Sequence, residues 1–140
     1  MSKKEKSLPL QLLKARDNAM HFFRPILAEN NLTEQQWRIL RVIDSMGELD
    51  LSTLSKETYI LSPSLTGIIN RLEKQGLVTK RKSVHDGRQI NINMTEKSVS
   101  LVDYLRPQID DEYIHLKDAL GDEKYEQLWN LLNDLISIEK

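Results

Sequence analysis

The chain has 140 residues, a formal net charge of -1 and no cysteine. Its length suits one domain, or one small domain with an added interaction element, and the lack of cysteine excludes disulfides, thiolate metal sites and thiol-based catalysis. The basic first residues lack a long apolar core, and no stretch approaches 18 apolar residues. We therefore expect a cytoplasmic protein with no membrane partner.

Charge is distributed unevenly along the chain. Between Arg71 and Lys97, seven basic residues face three acidic ones, which gives this segment a net charge of +4. From Ser98 onward, four basic residues face ten acidic ones, which gives a net charge of -6. The basic segment, rather than the chain as a whole, is therefore expected to meet a polyanion.

The first predicted element is a helix over residues 8–30. Its apolar residues recur at helical spacing: Leu12, Leu13, Met20, Phe23 and Leu27. Pro25 interrupts the pattern, because proline removes a backbone hydrogen bond and costs a helix interior about 3 kcal/mol. We expect a kink or a restart there.

Two further helices follow before residue 60. Thr33 and Gln36 form the sequence of a capping box, and Gly47 marks the end of the helix that they begin. A short helix is predicted after Asp50 and runs to about Thr58. The capping box is the clearest helix start in the chain.

The next helix has its start and end marked by Ser62-Pro63 and Gly76. Ser62 is predicted as its cap and Pro63 as its first-turn proline. One face is apolar: Leu65, Ile68, Ile69 and Leu72. Paired with the short helix before it, this helix forms a helix-turn-helix. Two alternating segments, residues 77–82 and 88–94, then predict a two-stranded hairpin.

The C-terminal part is helical. Thr95 is predicted to cap a long helix, and a last helix follows Gly121. That last helix is apolar over a wide arc: Tyr125, Leu128, Leu131, Leu132, Leu135, Ile136 and Ile138. A helix of this kind must be covered on more than one side. Together with the first helix, it is better explained as a dimer interface than as monomer core.

The predicted order of elements is that of a winged helix-turn-helix. We predict a mainly α fold with a small β-hairpin and N- and C-terminal dimerisation helices, in a single domain of residues 1–140. The DNA-binding lobe spans 33–95, and the dimerisation helices span 8–30 and 96–138. In this fold the second helix of the pair enters the major groove, while the hairpin, or wing, reaches the backbone or the minor groove.

The helix after Ser62 offers a polar face to DNA. Its groups opposite the apolar face are Ser64, Thr66, Gly67, Asn70, Arg71 and Lys74, and Ser62 at the helix start is predicted to bind DNA with them. Hydroxyls and an amide can bind base edges or phosphates, and glycine permits close approach of the backbone. The competing interpretation is an ordinary solvated helix face, which the adjacent hairpin and local charge disfavour.

The hairpin carries the most specific motif. Asp86, Gly87 and Arg88 are followed by Met94 and Thr95, and this stretch resembles the wing signature of the MarR family of dimeric bacterial transcription regulators. The segment RLEKQGLVTKR, residues 71–81, is similar to the family's helix-to-wing passage. The resemblance covers residues 8–138. More narrowly, RDNAMHFFRPIL, LTEQQWRILR and LSPSLTGIINRLE resemble the branch that contains the regulator of homoprotocatechuate, or aromatic compound, catabolism.

This resemblance implies roles for the wing residues. Arg88 is the wing-tip residue placed in or over the minor groove, and Asp86 holds its guanidinium in position. The alternative from the residues alone is a turn-stabilising pair, worth about 0 to 1 kcal/mol. Three neighbouring cations are predicted phosphate contacts: Lys80, Arg81 and Lys82.

Arg16 interrupts an apolar row in the first helix. A guanidinium among apolar residues is costly unless it meets an anion, so Arg16 either binds a ligand, pairs with an acid or reaches solvent. MarR relatives of the aromatic-catabolism branch are similar in binding phenolic carboxylates between the dimerisation helices and the DNA-binding lobe. By that resemblance Met20, Phe23 and Trp37 supply walls, although each is also a normal core residue.

Other chemistry is poorly supported. Asp111 and His115 lie one helical turn apart, but such a pair is usually solvated, so we expect no metal site and no cofactor. No phosphate loop or nucleophile elbow appears, so we expect no enzyme. The leading hypothesis is a homodimeric repressor that a small aromatic carboxylate releases from a pseudo-palindromic operator. The alternatives are a winged-helix protein-interaction module without ligand sensing, and a MarR-type efflux or stress regulator.

Overall fold

The computed structural model describes residues 6–85 and 87–140, over which seven α-helices and three β-strands occur. The helices are α1 (Leu8–Met20), α2 (Arg24–Glu29), α3 (Glu34–Met46), α4 (Leu51–Thr58), α5 (Ser62–Lys74), α6 (Glu96–Leu120) and α7 (Asp122–Ile136), and the strands are β1 (Leu49–Asp50), β2 (Val78–Lys82) and β3 (Ile90–Met94). The predicted mainly helical class with a small sheet is confirmed. Over the described ranges, no helix is both long and apolar enough to cross a membrane.

The first predicted helix is two helices, as the position of Pro25 indicated. After Met20 the chain makes a tight turn, in which the Phe23 backbone N–H donates to the Met20 carbonyl at 3.0 Å. α2 then begins at Arg24 with Pro25 in its first turn, where a missing N–H costs little. The apolar residues from Leu13 to Leu27 therefore do not share one helix, because Leu13 and Met20 lie on α1, Phe23 lies in the turn and Leu27 lies on α2.

The start and end of α3 were predicted correctly. Thr33 accepts a hydrogen bond from the Gln36 backbone N–H, and the Gln36 side chain accepts one from the Thr33 backbone N–H. Gly47 ends the helix at φ 85°, a conformation that favours glycine. The short helix α4 is capped by Asp50, whose carboxylate accepts from the Thr53 backbone N–H at 3.1 Å.

The predicted cap of α5 was wrong, whereas its predicted end is confirmed. Leu61 is the N-cap residue, because its carbonyl accepts the first helical bond, from the Leu65 N–H at 2.9 Å. Ser62 is already helical, so its hydroxyl does not cap the helix. At the other end Gly76 has φ 74°, and the Leu77 N–H donates back to the Leu72 carbonyl. This bond completes a Schellman stop.

The predicted hairpin is part of a three-stranded antiparallel sheet. β2 pairs with β3 over the full length of both strands, from Val78 opposite Met94 to Lys82 opposite Ile90. β1 adds a third strand on the other side of β3, with Leu49 opposite Ile92. β1 was not predicted, because a two-residue strand carries no alternation of its own.

The long helix α6 begins where it was predicted to begin. Thr95 and Ser98 cap it reciprocally: the Ser98 N–H donates to the Thr95 hydroxyl, and the Thr95 N–H donates to the Ser98 hydroxyl. The Thr95 hydroxyl also donates to the Gly76 carbonyl at 2.7 Å, which ties α6 to the end of α5. Pro107 lies inside α6, a feature that the sequence analysis did not use.

The chain divides into two compact units. One comprises residues 26–107, and we call it the central unit. The other comprises, among the described residues, 6–25 and 108–140, and we call it the terminal unit. The central unit contains α3, α4, α5 and the sheet. Its apolar side chains with no exposed surface are Ile39, Leu40, Leu54, Leu72, Ile92, Val102 and Leu105. In the terminal unit, neither α1 nor α7 has a buried residue.

Candidate nucleic-acid interface

One face of helix α5 packs into the central unit, and the opposite face is exposed. Leu65, Ile69 and Leu72 are almost completely buried in the central unit. The predicted DNA-reading groups are all exposed on the remaining surface: Ser62, Ser64, Thr66, Gly67, Asn70, Arg71 and Lys74. The amphipathic spacing of the helix therefore separates a packing face from a polar face, as predicted.

Gly67 has no structural reason to be glycine. It lies inside α5, its φ is not in the left-handed region, and an added Cβ would meet nothing within 4 Å. Glycine in a helix interior costs roughly 0.5 to 1 kcal/mol relative to alanine. The residue therefore keeps a flat, open spot on the exposed face of α5, at which another molecule can approach the helix backbone closely.

Two of the polar groups on α5 are already engaged within the central unit. The Thr66 hydroxyl donates to the Ser62 carbonyl at 3.1 Å. The Lys80 ammonium of β2 donates to the Asn70 side-chain oxygen and lies 3.4 Å from a Glu73 carboxylate oxygen. Lys80 therefore links the wing strand β2 to the exposed side of α5.

Arg81, the next cation of β2, is paired with Glu48. Its Nε lies 2.6 Å from Glu48 Oε1, and its Nη2 donates to Glu48 Oε2 at 3.0 Å. The hydrogen bond from Arg81 lowers the pKa of the Glu48 carboxyl, despite partial desolvation, and a smaller contribution comes from Asn91. The same hydrogen bond raises the pKa of Arg81. By contrast, Lys82 has no ion pair within the part of the chain that the structure describes.

The wing tip lies between β2 and β3. The Ser83 N–H donates to the Gln89 carbonyl at 2.9 Å and closes the hairpin. Gly87 and Arg88 are exposed beyond this bond, and Val84 is 89% exposed. Asp86 lies outside the described residues, so the predicted Asp86–Arg88 pair stays a prediction.

The predicted effector residues belong to different units. A cavity of about 510 Å³ lies within the terminal unit, and three predicted residues line it: Arg16, Met20 and Phe23. Trp37 belongs to the central unit, where it is buried and the Arg41 guanidinium lies 5.5 Å from its ring centre. Arg16 itself is exposed, so the burial cost that suggested an anionic partner from the sequence does not apply in the single chain.

Several aromatic residues of this cavity were not predicted as effector residues. Tyr113 packs against Phe23 with ring centres 4.7 Å apart, and Tyr125 and Trp129 of α7 also line the space. A signal existed, because all three lie in the predicted dimerisation helices, although only Tyr125 was named there, as an interface residue. The walls are therefore more aromatic than predicted.

Two other groups of titratable side chains form surface pairs. Asp17 accepts a hydrogen bond from Arg24 at 2.7 Å and lies 3.6 Å from His21, and its pKa is lowered mainly by Arg24. His115 pairs with Glu112 at 3.3 Å rather than with Asp111. Within residues 6–85 and 87–140, no group of three or more histidines and carboxylates is arranged to hold a metal ion.

Comparison with known proteins places this geometry in a family. The MarR family model matches residues 30–89, from the end of α2 to the wing. The homoprotocatechuate degradative operon repressor of Escherichia coli is 40% identical over 132 residues, which cover 94% of this chain and 89% of that protein.

Solved structures agree over nearly the full length. The transcriptional regulator PA4135 has a TM-score of 0.92 at 40% identity, covering 97% of this chain and 100% of that one. NadR in complex with 4-hydroxyphenylacetate has a TM-score of 0.82 at 40% identity, covering 99% of both chains. Identity at this level, over helices, turn and wing together, leads to one conclusion: the chain belongs to the MarR family of transcription regulators.

Proposed function

We propose that the protein is a homodimeric transcriptional repressor that binds a pseudo-palindromic DNA operator. The observation that carries this proposal is the exposed polar face of α5, which lies beside a basic wing in the segment of net charge +4. The similarity to an operon repressor at 40% identity supports repression rather than activation. Such a protein works where the chromosome is, so we propose a cytoplasmic location and no enzymatic activity.

We propose a division of labour among the DNA-binding residues. The exposed groups of α5 read bases and adjacent phosphates in the major groove: Ser62, Ser64, Thr66, Gly67, Asn70, Arg71 and Lys74. Arg88, aimed by Asp86, reaches the minor groove, and Lys82 contacts phosphate. Lys80 and Arg81 are already ion-paired at the base of the wing. We therefore assign these two residues to the support of the wing.

The terminal helices are proposed to join two copies. Exposed apolar side chains on α1 and α7 need a partner: Leu8, Leu10, Leu13, Leu128, Trp129, Leu131, Leu135 and Ile136. A two-fold axis through this contact relates two α5 helices. The half-sites of the operator then lie about one helical turn, roughly 34 Å, apart.

The effector is proposed to be a small aromatic carboxylate. A volume of about 510 Å³ with aromatic walls suits one benzene ring with substituents, and Arg16 on the rim supplies a cation for the carboxylate. NadR, at 40% identity, was solved with 4-hydroxyphenylacetate, which has this chemistry. Met20 and Phe23 line the same cavity, while a contact from Trp37 stays a prediction.

Release needs only a modest coupling between the effector and DNA sites. An effector that favours a dimer in which the two α5 helices no longer match the half-sites weakens DNA binding. A coupling free energy of about 1 to 3 kcal/mol lowers operator affinity roughly 5- to 150-fold.

The DNA-binding part is tested with a duplex that the wild-type protein selects from a random-sequence pool. We expect binding to this duplex to be at least about 1,000-fold tighter than to a scrambled duplex of the same composition. Arg88→Ala should weaken binding and make the plot of log K against log salt shallower by about 0.9. Exposed Lys124 of α7 provides the matched control, since Lys124→Ala should change neither quantity.

The same measurement separates the alternative of a protein-interaction module. Such a module would bind both duplexes with equal, salt-sensitive affinity. Unchanged operator binding by Arg88→Ala across the salt titration would show that the wing residue is misassigned.

The effector part is tested with Arg16→Ala. This variant should bind the selected duplex like wild type, whereas 4-hydroxyphenylacetate should no longer release it. A normal response of Arg16→Ala would remove Arg16 from the site. If wild type ignores aromatic carboxylates but responds to other small molecules, the protein is an efflux or stress regulator.

A further inference from the structure

Glu48 occupies the position between α3 and β1, immediately before the sheet begins. Its carboxylate contacts the paired strands on which the wing is built. Arg81 Nη2 of β2 donates to Glu48 Oε2 at 3.0 Å. Arg81 Nε lies 2.6 Å from the buried Oε1, as a close ionic contact without hydrogen-bond geometry. The Asn91 amide of β3 donates to Oε2 at 3.2 Å. One side chain therefore holds both strands.

The register makes this contact specific. Arg81 and Asn91 are directly opposite each other in the β2–β3 ladder, and Asn91 is also opposite Asp50 of β1. Glu48 thus joins a cross-strand pair at the point where all three strands meet. A planar guanidinium that meets one carboxylate at two of its nitrogens has a restricted direction, which a lysine would not give.

Electrostatics alone does not explain a carboxylate in this place. Glu48 belongs to the same compact unit as the basic wing, and a negative charge near a DNA-binding surface opposes the approach of phosphates. Its pairing with Arg81 also offsets one of the cations of β2. The presence of a carboxylate that weakens the attraction of this unit for DNA is explained if the carboxylate fixes the position of the wing.

We infer that Glu48 is a positioning residue for operator binding, which holds Arg81 and Asn91 and so fixes the wing relative to the helix-turn-helix. Arg81 acts mainly as the other half of this clamp and not as a separate phosphate contact. The inference rests on the proposed function, because a wing position matters only if the wing meets DNA.

The sign of the effect of Glu48→Gln provides the test. If Glu48 positions the wing, the neutral side chain loses its hold on Arg81, and the Kd for the selected duplex rises about threefold to tenfold. If Glu48 merely contributes charge, its removal lowers the Kd and steepens the salt dependence by about 0.9. The matched control is Glu57→Gln on α4, because Glu57 is exposed and has no ion pair among the described residues.

A second variant tests whether operator binding needs the planar guanidinium of Arg81 or only its positive charge. Arg81→Lys keeps the charge but loses the two-point contact, so we expect it to weaken operator binding as much as Glu48→Gln. The double variant should be no weaker than either single variant, since both remove one clamp. Circular dichroism melting measures the folded fraction of each variant, and affinities are compared per folded molecule.

The measurements distinguish failure of the proposed function from failure of the positioning role of Glu48. If wild type does not prefer the selected duplex to a scrambled one, the proposed function fails. If wild type does prefer it but Glu48→Gln binds equally or more tightly, or Arg81→Lys binds like wild type, the positioning role is overturned.

Discussion

The central and terminal units differ in what covers their apolar side chains. Among the described residues, all buried apolar side chains except Phe23 and Ile109 belong to residues 26–107. In the terminal unit no residue of α1 or α7 is buried, and Leu131 and Ile136 are 64% and 74% exposed. The central unit is thus internally packed, whereas the terminal unit presents surface that a second copy of the chain can bury.

This contrast assigns stability to one unit and assembly to the other. Most buried apolar positions that stabilise the single chain lie in the central unit, and the exposed apolar positions that are expected to set the dimer dissociation constant lie in the terminal unit. Substitutions of similar chemistry should therefore change different measurements, according to the unit in which they lie.

The largest expected effect is on folding. Leu72→Ala removes a side chain with no exposed surface from the packed side of α5, and should lower the free energy of unfolding by about 2 to 5 kcal/mol. Urea denaturation measures the change. Leu131→Ala is the control in the terminal unit: at protein concentrations below the dimer dissociation constant, this leucine is exposed and should contribute far less. Similar losses for both variants would contradict the contrast.

The next effect is on assembly. Ile136→Asp places a charge on the exposed apolar surface of α7, and loss of one buried isoleucine costs an interface about 1.5 to 3 kcal/mol. The dimer dissociation constant from sedimentation equilibrium should therefore rise at least tenfold. Val84→Asp at the wing, which is 89% exposed, should leave the constant unchanged. Equal dissociation constants for Ile136→Asp and wild type would exclude this surface from the interface.

A smaller effect is expected at Gly67 of α5, where one substitution should raise stability and weaken operator binding. Gly67→Ala should raise the free energy of unfolding by about 0.5 to 1 kcal/mol, because the helix gains a better helix former and nothing obstructs the added methyl group. The same methyl group should weaken operator binding by blocking close approach. Gly121→Ala is the matched change in the terminal unit. At φ 100° it should destabilise the chain without a direct effect on DNA contacts.

The smallest effect concerns pH. The folded-state pKa of Glu48 lies below its ordinary value of 4.5, so its contribution to stability is present above that value and is lost as pH falls through the folded pKa. Glu48→Gln should therefore show a weaker loss of stability on acidification below about pH 4.5 than wild type. Thermal melts from pH 7 to pH 3 measure this. Identical pH profiles would indicate that the clamp does not contribute to folding.

Local signals in the sequence predicted much of the fold. Thr33, Gly76 and Thr95 are each recognised by a cap or stop that depends on a few neighbouring residues, and each marks a boundary in the structure. Ser62 was wrongly predicted as the N-cap, because a serine before a proline can be either the cap or the first helical residue. The choice between them depends on where Leu61 begins the helical bonding.

Features that depend on distant partners could not be predicted. β1 exists because Leu49 and Asp50 pair with β3, some forty residues later. The exposed face of α5 followed from spacing alone, but the Glu48–Arg81 contact requires that same pairing and has no local signature. The cavity in the terminal unit likewise needs α1, α6 and α7 together, which is why Tyr113 was missed.

The spacing of operator half-sites tests the central claim most directly. In this account two central units, joined through the terminal helices, read half-sites about one helical turn apart. Inserting about five base pairs between the half-sites of the selected duplex turns one of them to the opposite side of the DNA. Fluorescence anisotropy should then show a rise in Kd of about 100-fold or more, towards that of the scrambled duplex. Unchanged affinity for the lengthened duplex would contradict a dimer that reads both half-sites at once.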